Sequence, residues 1–139
     1  MSKIEDELIG QLVLVHPDLN GNPANRAGQV GVITGVELEN DNIYVGFGRD
    51  GQNLYGTDAV LIMKNHYRVK EALEINKTEL ASDDARALFQ ISLLQEFPKS
   101  SANTKAAMSL AMQNETVRKY SMQSIENFLG RDQQMAYAR

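Results

Sequence analysis

The first half of the chain alternates short apolar runs with glycines and polar turns, and this pattern predicts a small β-barrel. The runs lie at positions 11–16, 29–38, 43–47, 53–55 and 60–63. A β-strand turns successive side chains to opposite faces, so apolar residues at alternate positions predict a strand with one buried face. We therefore expect five short strands between Gly10 and Met63, with a one-turn 3₁₀ connector at 56–58 before the last strand.

The longest predicted strand runs from Gln29 to Leu38. Its even positions are mostly apolar, and its odd positions carry glycine or polar residues around Ile33: Val30, Val32, Thr34, Val36 and Leu38 against Gln29, Gly31, Gly35 and Glu37. Glycine permits the strong bend that a barrel corner needs. A polar reversal at 39–42 then leads into an apolar face at Ile43, Val45 and Phe47, which predicts a β-hairpin.

After Lys64 the glycines stop until Gly130, and apolar residues recur at helical spacing. The pattern predicts helices at 66–76, from Ser82 to Pro98, from 101 or 103 to about 113, and at 115–129. In the second of these, one broad apolar face is expected to contain Ala85, Leu88, Phe89, Leu93 and Phe97. The predicted fold class is α+β, with a five-stranded barrel at 1–64 and a subdomain of three to four helices at 65–139.

The composition of the 139-residue chain is that of a soluble globular protein, with 42% apolar and 23% charged residues. The longest apolar run, Val60–Met63, is too short to cross a bilayer, and the first ten residues do not resemble a targeting signal. With no cysteine, the chain has no disulfide, thiolate nucleophile or Cys-ligated metal. We expect a cytoplasmic protein without a membrane partner.

The negative charge is concentrated in the barrel half. Positions 1–64 contain nine carboxylates against four cations, whereas positions 65–139 contain nine carboxylates against ten cations. Binding to a phosphate backbone requires clustered Lys and Arg, so this distribution disfavours nucleic acid as the main partner.

The glycine-rich segment from Gly28 to Gly35, GQVGVITG, is followed by a hairpin and by IYVGF at 43–47. This stretch resembles the KOW and related SH3-like barrel families, over about the first 64 residues, and the helical half is unmatched. The resemblance implies an SH3-like barrel that binds RNA, ribosomal components or transcription-complex proteins. Nucleic-acid-binding members carry basic loops, whereas the corresponding loop here contains Glu37, Glu39 and Asp41, which we interpret as a solvated turn.

Three features imitate sites of known chemistry. Gly46–Gly51 matches GxGxxG, but a strand follows it instead of the helix that a dinucleotide site requires. Asp18, Asn20 and Asn22 resemble the start of a calcium loop that lacks its sixth-position glycine and twelfth-position glutamate. His16 and His66 lie outside any nucleophile elbow or HExxH helix, so an enzyme using either is only a remote alternative. We expect no catalytic residue, no cofactor and no metal.

The candidate binding residues are Tyr44, Phe47, Arg49, Asp50 and Tyr55. Aromatic side chains on neighbouring strands form grooves for extended peptides or cations, and Asp50 or Asp58 would add charge. Alternatively, Phe47 belongs to the core with Ile43 and Val45, and the tyrosines cover the junction with the helices.

Two functions from different classes follow from these residues. The first is a non-catalytic interaction module that binds a protein partner through the barrel surface around Tyr44 and Tyr55. The alternative is a KOW-like RNA- or ribosome-associated factor that uses Arg49 with Arg118 and Lys119. The sequence leaves a homo-oligomer open.

Overall fold

Antiparallel pairing of short strands builds one open sheet of six strands. The computed structural model describes residues 3–19, 26–97 and 100–133, with side chains described as far as 130. The strands are β1 (Leu12–Val15), β2 (Val30–Glu37), β3 (Asn42–Gly46), β4 (Gln52–Tyr55), β5 (Val60–Met63) and β6 (Met122–Ser124). Their order is β4-β3-β2-β1-β5-β6, so the predicted five-stranded closure is replaced by an open sheet with β4 and β6 at its edges.

The helices are α1 (Lys3–Leu8), α2 (His66–Asn76), α3 (Ser82–Leu94), α4 (Ser101–Ala111), α5 (Glu115–Ser121) and α6 (Ile125–Asn127), and a π-helical segment follows at Phe128–Gln133. Side-chain caps begin four of them: Asn65 accepts a hydrogen bond from Arg68 N, Ser100 from Asn103 N, Asn114 from Val117 N and Ser124 from Asn127 N. Such caps satisfy N–H groups that have no partner within the helix. The predicted bounds of α2 are confirmed. Among the described residues, no helix combines the length and apolar character needed to cross a membrane.

The chain divides into two compact units. The sheet unit comprises Met1–Ile62 with Ser124–Arg139, and the helical unit comprises Met63–Gln123. The first boundary between the units, after Ile62, lies near the division expected at 64/65. The second boundary, after Gln123, where the chain returns to the sheet unit, was not predicted from the sequence.

The core of the sheet unit lies on one face of the sheet. It contains Leu8, Val13, Val15, Ile33, Val36, Ile43, Val45, Tyr55, Ala59, Val60, Ile62 and Ile125. Val13 and Val15 alternate with Leu12 and Leu14 along β1, as a strand with one face toward the core requires. Leu8 places the otherwise acidic α1 against this core, since its side chain is fully buried.

A register shift in β2 overturns the predicted alternation of that strand. Ile33 pairs with Val45 and Gly35 pairs with Tyr44, which leaves Thr34 as an extra residue. Before the shift, Ile33 is buried and Val32 is exposed, whereas after the shift Val36 is buried. A β-bulge reverses the faces because the side-chain period is two, so the even positions do not share one face.

Gly31 lies at a close approach between β2 and β3. A Cβ atom built on Gly31 would lie 2.5 Å from Val45 Cγ1 and 2.8 Å from the carbonyl oxygen of Gly46. The carbonyl oxygen of Gly46 belongs to the backbone of β3, so it cannot move aside as the end of a flexible side chain can. The position therefore requires glycine for packing.

The turn between β2 and β3 is exposed at Glu37, Glu39 and Asp41, as expected, and Asp41 also orders it. Asp41 adopts the left-handed conformation with φ 57°, and its Oδ1 accepts hydrogen bonds from Thr57 N at 3.0 Å and Thr57 Oγ1 at 2.7 Å. Both Thr57 hydrogen bonds lower the pKa of Asp41, and the bond from the hydroxyl has the larger effect. The connector at 56–58 is a turn instead of the predicted 3₁₀ helix, and it closes through a hydrogen bond from Ala59 N to Gly56 O.

The helical unit corrects two expectations. The helix predicted over 115–129 breaks after Ser121, because Met122 takes an extended conformation and Ser124 caps a new helical start by accepting a hydrogen bond from Asn127 N. In α3, the buried positions are Ala87, Leu88, Ile91 and Ser92. Phe89, Leu93 and the following Phe97 are exposed, so the predicted single apolar face is really two faces.

We expect Gly31→Ala to lower the free energy of unfolding by about 1–3 kcal/mol, because the added methyl group overpacks the contact between β2 and β3. The measurement is urea unfolding followed by circular dichroism. Gly130→Ala is the matched control, since a Cβ at Gly130 has no atom within 4 Å. Equal stability of the two variants would contradict the close approach.

Asp41→Ala should cost about 1 kcal/mol at neutral pH through the lost Thr57 bonds. Because the folded state lowers the pKa of Asp41, the stabilisation is present above the unfolded value of about 3.9 and is lost as pH falls through the folded value. Asp41→Asn keeps an acceptor and tolerates a positive φ, so it should mainly remove this acid-side dependence. Urea unfolding at several pH values between 2.5 and 7 measures both effects, with Thr57→Val as the test that leaves Asp41 unchanged.

Candidate binding face of the sheet

The face of the sheet opposite the core carries an apolar surface, here called the open face. Its residues are Leu12, Val30, Val32, Thr34, Tyr44, Gln52 and Leu54. Cross-strand pairing forms two rows, one through Val32, Gly46 and Gln52 and one through Gly35, Tyr44 and Leu54. Val32 is 37% exposed and Leu54 is 50% exposed, so apolar area remains available on these rows.

Tyr44 is held in a fixed position on the open face. Its hydroxyl donates a 2.8 Å hydrogen bond to Glu37 Oε1, and Asn42 Nδ2 donates a 3.2 Å bond to the same oxygen. The Tyr44 ring lies against Gly35, where a Cβ would come 3.2 Å from ring atom Cδ2. The absence of a side chain at Gly35 lets the aromatic ring lie close to the strand beside Leu54.

The pair of Tyr44 and Glu37 shifts the ionisation of both groups. The hydrogen bond from Tyr44, followed by that from Asn42, lowers the pKa of Glu37. The same bond raises the pKa of Tyr44, since the phenol proton that it uses is lost on ionisation. At neutral pH the pair therefore consists of a neutral phenol donating to a carboxylate.

The free edge of β4 offers backbone groups beside this surface. Phe47 N donates a 2.8 Å hydrogen bond to Gly51 O at the start of the β3–β4 ladder. Hydrogen-bonded and non-hydrogen-bonded pairs alternate along an antiparallel ladder. Because Phe47 and Gly51 form a hydrogen-bonded pair, the residues in the pairs Gly46–Gln52 and Tyr44–Leu54 are not hydrogen-bonded to each other. The N–H and C=O groups of Gln52 and Leu54 consequently point away from β3, and among the described strands β4 has no neighbour on that side.

The five candidate residues do not form one groove. Tyr55 pairs with Ile43 on the core face and is only 6% exposed, whereas Tyr44 lies on the open face. Phe47 packs at the margin of the core, in agreement with the core alternative considered for it. Arg49 is exposed in a 3₁₀ turn at Gly48–Asp50.

Arg26 brings Phe47 and Asp50 together, and sequence analysis did not single it out. Its guanidinium lies 4.6 Å from the centre of the Phe47 ring and donates a 2.8 Å bond to Asp50 O. A further bond of 3.2 Å joins Arg26 Nη1 to Gln29 Oε1. No local motif marks this arrangement, because Arg26 and Asp50 are 24 positions apart and meet only through the pairing of β2 with β3. We interpret these contacts of Arg26 as joining the segment before β2 to the turn between β3 and β4.

Carboxylates surround the C-terminal end of β4. A Cβ built on Gly56, directly after β4, would lie 3.0 Å from both Asp41 Oδ2 and Asp58 Oδ1. Asp50 lies before the other end of the strand and is largely exposed. Negative charge therefore borders the C-terminal end of the edge, whereas Asp50 at the other end is paired with Arg26 at 3.8 Å.

The structure places most of the features that imitate catalytic and cofactor sites. The glycines at 46, 48 and 51 belong to the hairpin between β3 and β4, and no helix follows them. His16 Nδ1 accepts a hydrogen bond from Asp18 N, and the His66 ring lies beside Tyr67. Asn20 and Asn22 of the calcium-like segment lie outside the described residues. Within the described ranges, no group of three or more His, Cys, Asp and Glu residues could hold a metal ion.

We expect Glu37→Gln to lower the pKa of Tyr44 toward its ordinary value of about 10, because a neutral amide stabilises the phenol proton less than a carboxylate does. Ring signals of Tyr44 followed by nuclear magnetic resonance between pH 8 and 12 give the value, and Tyr44→Phe assigns them. Glu39→Gln in the same turn is the control. An equal pKa in the wild type and in Glu37→Gln would rule out the bond.

Comparisons with known proteins supply no relative for this chain. Family models, curated proteins and solved structures were compared with it, and none matches. Its function must therefore be inferred from its own residues and their geometry.

Proposed function

We propose that the protein is a non-catalytic interaction module that binds an extended, basic segment of a partner protein along the free edge of β4. The partner segment would add a strand to the sheet beside β4. The resemblance of the first 64 residues to SH3-like barrels, a class of binding modules, is consistent with this role.

The observation that carries the proposal is the outward direction of the Gln52 and Leu54 backbone groups. Unpaired N–H and C=O groups on a sheet edge are a template for another extended chain. The edge has few of the usual protections, since β4 contains no lysine and no proline. Main-chain hydrogen bonds along β4 would supply sequence-independent affinity.

Side chains on the open face would supply selectivity. Alternate side chains of an added strand would lie beside Leu54, which is half exposed. The Tyr44 ring, which Glu37 holds in place, lies next to Leu54 in the same cross-strand row. Because Tyr44 is already held by Glu37, little conformational entropy is lost when a ligand packs on it. We expect apolar residues at alternate positions of the bound segment.

The surrounding charge favours a basic peptide over RNA. Asp41 and Asp58 after β4 would attract Lys or Arg and repel phosphates, whereas Asp50 before it is already paired with Arg26. The cations of the RNA hypothesis give it little support: Arg118 is half-buried, and Lys119 lies 5.3 Å from the ring of its neighbour Tyr120. We therefore prefer the protein partner.

The test is affinity purification of the full chain from native cells, followed by identification of the co-purifying protein and by measurement of its binding to purified variants. Gln52→Pro should weaken this binding at least about tenfold, since proline removes the outward N–H and blocks strand addition. Proline is tolerated at the first residue of an edge strand, so the fold should persist. Binding should also weaken as salt concentration rises.

Gln52→Ala is the matched control, because it removes the side-chain contact with Thr34 but keeps the N–H. Equal binding by the alanine and proline variants would refute strand addition. Two results together would support the RNA-binding alternative instead: RNA co-purifies equally with the wild type and Gln52→Pro, and no protein partner remains after nuclease treatment.

A further inference from the structure

The exposed face of α3 carries an apolar stripe bordered by opposite charges. Phe89 is 51% exposed and Leu93 is 44% exposed, while Phe97 continues the stripe one turn later at 63%. Arg86 precedes the stripe on the same face and Glu96 follows it. From 87 to 95 the segment has no charged residue. The residues of the α3 stripe are Ala85, Arg86, Phe89, Leu93, Glu96 and Phe97.

The α3 stripe is complementary to itself when reversed. In an antiparallel pair of α3 helices related by a two-fold axis at the level of Ile91, Phe89 of one copy lies opposite Leu93 of the other. The same operation sets Arg86 opposite Glu96, about 7.5 Å along the helix from the axis at each end. It also sets the large Phe97 ring opposite the small Ala85. Every position of the stripe thus meets a partner of suitable size or opposite charge.

The spacing also matches the geometry of paired helices. Positions 86, 89, 93 and 96 recur at intervals of three and four residues, as in the contact seam of a coiled coil. Glu96 and Phe97 follow the course of α3 beyond its last residue, since Glu96 N and Phe97 N donate to Leu93 O and Leu94 O. The backbone therefore continues in hydrogen-bonded turns from the end of α3 to Phe97.

The carboxylate of Glu96 can receive Arg86 of a second copy. Its Oε1 pairs with Lys70 Nζ at 3.1 Å, and the Glu96 side chain is 37% exposed. A carboxylate has two oxygens and several acceptor positions, so Oε2 can accept the guanidinium. Lys70 at the same time holds Glu96 at the end of the stripe.

We propose that α3 is a homodimerisation surface, on which a second copy of this chain packs antiparallel with the pairs Phe89–Leu93, Arg86–Glu96 and Ala85–Phe97. A two-fold interface uses the same patch on both subunits, which is what a self-complementary stripe provides. A single helix pair covers less than the roughly 800 Å² per partner of a standard interface, so the dimer is weak and forms at micromolar concentrations.

Sedimentation velocity of the full chain from roughly 5 to 500 µM tests the proposal by following the monomer–dimer equilibrium. Leu93→Glu should raise the dissociation constant at least about tenfold, since it places carboxylates in the apolar seam. Ile75→Glu is the matched control: Ile75 is 70% exposed on α2 and lies outside the stripe, so its variant should dimerise as the wild type does. A monomer at every concentration, or equal effects of the two variants, would overturn the proposal.

A charge exchange tests the antiparallel register. Arg86→Glu and Glu96→Lys should each weaken dimerisation by like-charge repulsion, and the double variant R86E/E96K should restore it. Glu96→Lys and the double variant lose the Lys70 contact equally, so the difference between them reports the contact between copies. Dimerisation without this rescue would contradict the register.

The natural lack of cysteine allows an independent measurement. Gln90 is exposed beside the stripe, close to the level of the two-fold axis. We expect Gln90→Cys to form a disulfide-linked dimer under mild oxidation, and Ile75→Cys to form much less at equal concentration. Circular dichroism of each variant confirms that it is folded. Equal cross-linking at both positions would show random collision and would overturn the proposed pairing.

Discussion

The register shift at Thr34 decides which side chains the sheet unit buries. Up to Ile33, the odd positions of β2 face the core, and beyond the bulge Val36 does so. The reversal leaves Gly31 against Val45 on the core side and Gly35 against the Tyr44 ring on the other. Because the bulge shifts the alternation by one residue, Val36 faces the core although Val30 and Val32 face outward, so the core and the open face both depend on one inserted residue.

The properties of the open face follow from that geometry. Tyr44 can lie close to β2 only because its cross-strand neighbour is glycine, and Glu37 then orients its hydroxyl. The hairpin after β3 places β4 at the edge, with alternate backbone groups directed outward. A rigid aromatic ring, an apolar side chain and an open strand edge are thereby combined in a small area, which is the physical basis of the proposed binding role.

The two proposed binding surfaces differ in character. The edge of β4 offers main-chain hydrogen bonds and is bordered by carboxylates, which suits an extended basic segment. The stripe on α3 is a helical surface with opposite charges at its two ends, which suits its own copy. The two sites use different residues in different units, so a variant at one leaves the residues of the other unchanged.

The sequence by itself determined the local elements, because strand period, helix period and capping residues act over a few positions. It predicted β1 to β5, the hairpin at 46–51 and the bounds of α2, but not β6. Tertiary structure alone decided the burial of Tyr55, the outward face of α3 and the break of the predicted fourth helix at Met122. It also joined Arg26 to Asp50. These features depend on which elements pack together, and an apolar residue at helical or strand spacing has the same local signal whether a neighbouring element covers it or not.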